Sequence, residues 1–132
     1  MAERYFTLQE AREFVPWLVQ TFRDIEPLRE RAKRLAAGVR ELAVRMSGNG
    51  GGESRRRMVH LQRELDETSS LINERIDEVH GRGMLVQGVD PSLVDFPHMR
   101  EGREVYLCWR EGESHLGFWH DLEAGFAGRQ PL

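Results

Sequence analysis

Two apolar stripes of helical period, separated by a run of glycines, limit what this chain can fold into more than any other feature. The first recurs at Phe14, Leu18, Phe22, Ile25, Leu28, Ala32, Leu35, Val39, Leu42 and Met46. Spacings of three and four place these side chains on one face of a helix, which a strand of period two cannot do. A second stripe follows at near-heptad spacing: Met58, Leu61, Leu65, Thr68, Ile72, Ile76 and Val79. Between them lies Ser47-Gly48-Asn49-Gly50-Gly51-Gly52-Glu53-Ser54. The lysine and following hydroxyl of a P-loop are missing and no strand pattern precedes it, so this is a connector and not a phosphate cradle. The pattern predicts a long antiparallel, coiled-coil-like helical hairpin: an arm over 7–46, a flexible loop over 47–54, and a second helix over 54–80 capped by Ser54.

Thr7-Leu8-Gln9-Glu10 has the form of a capping box, which starts the first arm. Pro16 and Pro27 each remove an amide donor from it, and the expectation is a kink or break near 16–27, with Asp24 capping a fresh helix. The first arm is longer than the second, so its surplus, Tyr5 to Phe22, must cover something apolar in the C-terminal part. Two helices alone leave part of each stripe wet, and a second copy completing a four-helix bundle makes a homodimer the expected assembly.

At 132 residues the chain is read as one domain, 1–132. No apolar run approaches the roughly 20 residues that span a bilayer, and the N-terminus lacks a secretory pattern, so no membrane role is expected. The lone Cys108 cannot form an internal disulfide, which fits a cytoplasmic protein. The net charge of −3 hides an asymmetry. Ten bases face four acids between Glu26 and Arg63, a net +6, which leaves −9 on the rest. Arg55, Arg56 and Arg57 make the hairpin tip basic, but no aromatic residue accompanies them to stack on bases. Nucleic-acid binding is therefore not expected, and a polyanion at the tip is the weaker alternative.

Residues 83–132 read as a β-rich cap and tail. His80-Gly81-Arg82-Gly83 stops the second helix. Met84–Gln87 and Leu93–Phe96 read as strands, the latter stopped by Pro97, with Gly88-Val89-Asp90-Pro91-Ser92 as the turn between them. Met99-Arg100-Glu101-Gly102 is another turn. Strands over Arg103–Trp109 and Ser114–His120 flank Arg110-Glu111-Gly112-Glu113, taken as a hairpin with Glu111-Gly112 at its tip. That register sets Cys108 opposite His115, Leu107 opposite Leu116 and Val105 opposite Phe118. Val105, Leu107, Trp109, Leu116, Phe118 and His120 then share the core face, with Tyr106, Cys108, His115 and Trp119 on the other. The fold class is α+β: a helical hairpin with a small antiparallel sheet packed at its root.

Leu93-Val94-Asp95-Phe96-Pro97, Gly102-Arg103-Glu104-Val105-Tyr106-Leu107-Cys108-Trp109-Arg110, Trp119-His120 and Gly125-Phe126-Ala127-Gly128-Arg129-Gln130-Pro131 carry a resemblance. This C-terminal half is similar to an uncharacterised bacterial domain-of-unknown-function family, number 2203. Over the helices the similarity is limited to Phe6-Thr7-Leu8 and the two prolines. Where the family tends to carry a lysine and an acidic turn before Asp95, this chain has Gln87 and Val89-Asp90-Pro91. The resemblance implies a bacterial cytosolic protein and brings no reaction or functional residues with it.

Asp95, Arg103, Trp109, Trp119, His120 and Arg129 are the candidate ligand-binding residues, at strand ends or in the closing tail. Arg103 beside His120 with Asp95 on the next strand can hold a small anion, through the bidentate fork of a guanidinium. His120, Glu113 and Asp95 can instead hold a divalent metal, the one cofactor this sequence suggests. The bland alternative is a salt-bridged network pinning the tail, with the tryptophans in the core. Cys108 facing His115 lacks oxyanion donors, and the pairs His60/Glu64 and Asp77/His80 on the second helix read as surface hydrogen bonding or capping. No complete catalytic constellation can be assembled, so whether the chain is an enzyme stays open. The preferred function is a non-enzymatic, dimerising interaction module with a small-ligand or ion site at the rim of the β cap and a protein or small-molecule partner. The alternative is a small metal-assisted or acid/base enzyme using His120.

Overall fold

A computed structural model describes residues 2–49, 51–88 and 90–132. Gly50 of the connector, Val89 of the turn before Asp90 and the side chain of Asn49 lie outside the described residues. Two helices precede five strands, an α+β chain: α1 (Leu8–Asn49), α2 (Gly52–Gly81), β1 (Leu85–Gln87), β2 (Leu93–Arg100), β3 (Arg103–Arg110), β4 (Phe118–Asp121) and β5 (Gln130–Pro131). None of the described helices is long and apolar enough to cross a membrane. The chain divides into two compact units, Met1–Phe22 with Ile76–Leu132, and Arg23–Arg75.

The Arg23–Arg75 unit is a helical hairpin. Arg75 reaches Asp24 at 3.5 Å and Arg31 reaches Glu64 at 3.5 Å, so positions advance along one helix as they recede along the other. Leu61 comes so close to Gly38 that a Cβ there would lie 3.6 Å from its Cδ1. Ile25 and Leu42 are buried, while Leu28, Leu35, Val39, Leu61, Leu65 and Ile72 are half-buried. The expected loop over 47–54 is shorter in the structure. α2 already begins at Gly52, where Arg55 N donates to Gly51 O at 3.2 Å, so Ser54 lies inside the helix and does not cap it.

Of the kink or break expected near 16–27, the break is absent, since α1 is one helix through both prolines. Pro16 and Pro27 are exposed, on the side opposite the buried Ala11, Val15, Leu18, Phe22 and Ile25. On that side water can bond the carbonyls that lose an amide partner, and burial of the opposite stripe offsets the remaining cost. Pro27→Ala restores the missing donor and is expected to stabilise the protein by about 2 kcal/mol, read from urea unfolding. A neutral or destabilising effect would instead mean that Pro27 starts a fresh helix.

In the other unit the five strands form one antiparallel sheet in the order β1-β2-β3-β4-β5. The capping box forms as expected: the Glu10 amide donates to Thr7 Oγ1 at 3.1 Å and the Thr7 amide to Glu10 Oε1 at 2.8 Å. The Thr7 amide, with the Thr7 hydroxyl beside it, holds the Glu10 carboxyl below its usual pKa. The first turns of α1 cover one sheet face, on which Phe22 meets Trp109 with ring centroids 5.9 Å apart. Phe6 packs edge-on against both Phe96 and Phe14. This face buries Val94, Phe96, Val105, Leu107, Trp109 and Trp119.

Pro97 does not stop β2, which continues to Arg100. Its carbonyl points away from β3 and accepts the Phe6 amide at 2.8 Å. The nitrogen on the same side therefore costs the β2–β3 ladder no hydrogen bond. The tight two-residue hairpin lies at Glu101-Gly102, with φ of 52° and 79°, between paired Arg100 and Arg103. At the expected tip, Arg110–Glu113 closes a turn in which Glu113 N donates to Arg110 O at 3.0 Å. Residues 114–117 do not pair with β3, and β4 starts only at Phe118. Cys108 therefore pairs with Phe118, Leu107 with Trp119, Tyr106 with His120 and Val105 with Asp121. The expected register is off by three residues. An odd slip exchanges faces: Trp119 joins the core side, while Phe118 and His120 join Cys108 and Tyr106 on the opposite side.

Candidate functional site

That opposite side is not open to water. Asp95, Cys108 and His120 lie on it and are all buried. The segment after β4 folds over them. It makes a 3₁₀ turn at Phe126–Gly128, and β5 then pairs with β4. Arg129 holds this tail down. Its Nη2 donates to both Glu113 carboxylate oxygens at 2.8 and 2.9 Å and to Cys108 O at 3.2 Å. Its guanidinium lies 4.0 Å from the Phe118 ring centroid and 4.7 Å from that of Phe126.

Beneath the tail, His120 Nε2 is 3.1 Å from Asp95 Oδ1, and His120 Nδ1 is 2.8 Å from Asp121 O. A carbonyl oxygen can only accept, so Nδ1 carries a hydrogen. Nε2 then faces Asp95, and one proton must be shared between them. Cys108 and Gln87 beside it also favour the ionised Asp95 carboxylate. Burial raises the Asp95 pKa against the lowering effect of His120. Burial, with Asp95 close by, pushes the Cys108 thiol up to about 12, so it is a neutral donor and not a nucleophile. Tyr106 stands edge-on to His120 at 5.6 Å, and burial raises its hydroxyl pKa too.

His120 and Asp95 form part of the wall of a cavity of about 250 Å³, with Gln87, Leu93, Tyr106, Leu122 and Phe126 also lining it. A larger cavity of about 420 Å³ shares Tyr106 and Leu122 but touches none of Asp95, Cys108 and His120. The smaller one is where the buried polar groups converge.

Of the candidates read from the sequence, the structure brings Asp95 and His120 together. Arg103 is not beside His120; it is exposed and pairs with Asp121 at 3.2 Å. Glu113 is not with Asp95 and His120, because it is held by Arg129 and by the Arg110 amide at 2.6 Å. Trp109 and Trp119 sit on the helix-facing side, Trp109 donating Nε1–H to Glu113 O at 3.0 Å and Trp119 under Arg100. His115 is exposed and not across from Cys108, which pairs with Phe118. Cys108, Tyr106 and Gln87 complete the group. Gly112 and Gly117 on either side of Ser114-His115 are the signal of a longer loop, and with that loop Cys108 and His120 fall on one face.

Fold and site define a class: an α+β protein with a helical hairpin, a five-stranded antiparallel sheet, and a buried Asp–Cys–His group. The chain belongs to the family described as Uncharacterized conserved protein (DUF2203), whose model matches residues 4–132. The match takes in both helices, not only the C-terminal half in which the resemblance is detailed. Neither a curated protein nor a solved structure matches the chain.

Proposed function

We propose that this chain is a cytoplasmic, non-enzymatic binding module whose site is the cavity between the outer sheet face and the C-terminal tail. The observation that carries this reading is the buried Asp95–His120 pair in the cavity wall. A polar pair withdrawn from water is costly unless satisfied, and cavities where such groups converge are the usual ligand sites. At about 250 Å³ the cavity falls just below the span of drug-sized sites, roughly 300–1,000 Å³. It suits a small ligand with a polar head on Asp95, His120 and Tyr106 and an apolar part against Leu93, Leu122 and Phe126. Fragments screened by NMR on the labelled full chain should shift the amides of Tyr106, His120 and Leu122, and Leu122→Trp should abolish those shifts. Fragment hits confined to other surfaces would contradict this reading.

Self-association is the second part of the proposal. It is supported by the half-buried stripe of the hairpin and by the exposure of Val44, Val59 and Leu71. Sedimentation equilibrium should show a dimer that Leu35→Glu dissociates. A monomer at every concentration would rule it out.

A further inference from the structure

Resting on the same cavity as the site, we propose that Asp95, Cys108 and His120 bind a divalent transition-metal ion of the zinc class, with the cavity supplying the open fourth position. One ligand atom from each of the three side chains lies within 4.8 Å of the others. Tetrahedral zinc holds sulfur at about 2.3 Å and nitrogen or oxygen at about 2.0–2.2 Å, which places ligands roughly 3.5 Å apart. Nε2 and Oδ1 are already 3.1 Å apart. Rotation of the Cys108 thiol and small side-chain shifts close the remainder.

Three features separate this group from a chance cluster. The donor set is mixed nitrogen, sulfur and oxygen, which zinc and its neighbours prefer and magnesium and calcium do not. His120 is oriented as metal-binding histidines are, with Nδ1–H given to the Asp121 carbonyl and Nε2 turned inward. Charge also balances. A divalent ion enters as two protons leave for solvent, one from Cys108 Sγ and the one shared by Asp95 and His120. The buried group keeps its net charge, so binding introduces no uncompensated ion. Arg129, which donates to the Cys108 carbonyl, has its charge paired with Glu113. Tyr106 faces the site as a neutral hydroxyl donor. Three protein ligands and one open position is also the arrangement of zinc sites that bind a further molecule.

The test uses the full chain, stripped with chelator and titrated with Co²⁺. The expected result is one equivalent bound, with visible ligand-field bands and a thiolate-to-cobalt band in the near ultraviolet. Zn²⁺ should displace the cobalt and raise Tm. Cys108→Ser should lose the thiolate band and bind at least about tenfold more weakly, and His120→Gln should weaken binding similarly. If either variant fails to fold, as judged by circular dichroism, the thiolate band of the wild type alone decides. Cobalt bound without that band, or no binding of Co²⁺ or Zn²⁺, overturns the proposal. In either case fragment binding in the cavity leaves the binding-module reading standing, whereas loss of both metal and fragment binding removes the two together.

Discussion

Arg129→Ala is expected to destabilise the protein by about 3 kcal/mol and to release the tail from about residue 122 onward as a protease-sensitive segment. Arg129 is only 11% exposed and Glu113 24%, so the pair is largely screened from water. Without the guanidinium, the Glu113 carboxylate keeps the Arg110 amide as its partner but loses its counter-charge. The Cys108 carbonyl loses a donor, and the rings of Phe118 and Phe126 lose the plate packed between them. Arg129→Lys retains the charge but cannot provide the planar contact, so roughly half the loss should remain. Urea unfolding measures the stability, and limited proteolysis followed by mass spectrometry locates the cleavage. Cleavage confined to the 47–54 connector, with stability unchanged, would show that the tail is held by something else.

Trp109→Ala should cost still more, about 3–5 kcal/mol, the usual loss for a buried tryptophan. Trp109 is fully buried against Phe22, and its Nε1–H satisfies the Glu113 carbonyl in the turn that positions Arg129's partner. Trp109→Phe separates the two contributions. It keeps much of the apolar contact but orphans the carbonyl, for an expected loss of about 1–2 kcal/mol plus a small cavity term. Because the turn lies on the path from the core to the tail latch, Trp109→Phe and Arg129→Ala should be non-additive.

The helices were legible because their information is local. Thr7 and Glu10 cap each other across one turn, and the stripes from Phe14 to Met46 and from Met58 to Val79 are buried or half-buried throughout. The prolines do not break α1, and a rule about backbone donors cannot foresee this because it says nothing of which helix side they occupy. Pro16 and Pro27 face solvent, where water replaces what they remove. Pro97 misled in the same way, since its missing donor faces the Phe6 segment and not β3. Four of the five strands were legible, β5 at Gln130–Pro131 was not, and neither was the register of β4. A turn of ordinary sequence at Arg110–Glu113 looks like a two-residue hairpin until Glu113 is seen to be tied to Arg110, Trp109 and Arg129 at once. Those partners are distant in sequence or depend on side-chain direction, which no local pattern carries. Asp95 and His120 are legible as chemistry-bearing residues at strand ends. A two-residue tip at Glu111-Gly112 sets Cys108 against His115; the longer loop sets it against Phe118, and this odd slip brings His120 onto the Cys108 face.

Whether Asp95 and His120 are coupled in a water-excluded site beneath the tail decides both the cavity and the metal centre, and a double-mutant cycle in the presence of chelator measures it. Asp95→Asn, His120→Gln and the double variant, compared by urea unfolding, should give a coupling of about 2 kcal/mol, the size expected of a buried charge-assisted hydrogen bond. Additivity within about 0.5 kcal/mol would mean that the two side chains do not meet, and the site built on them would fall.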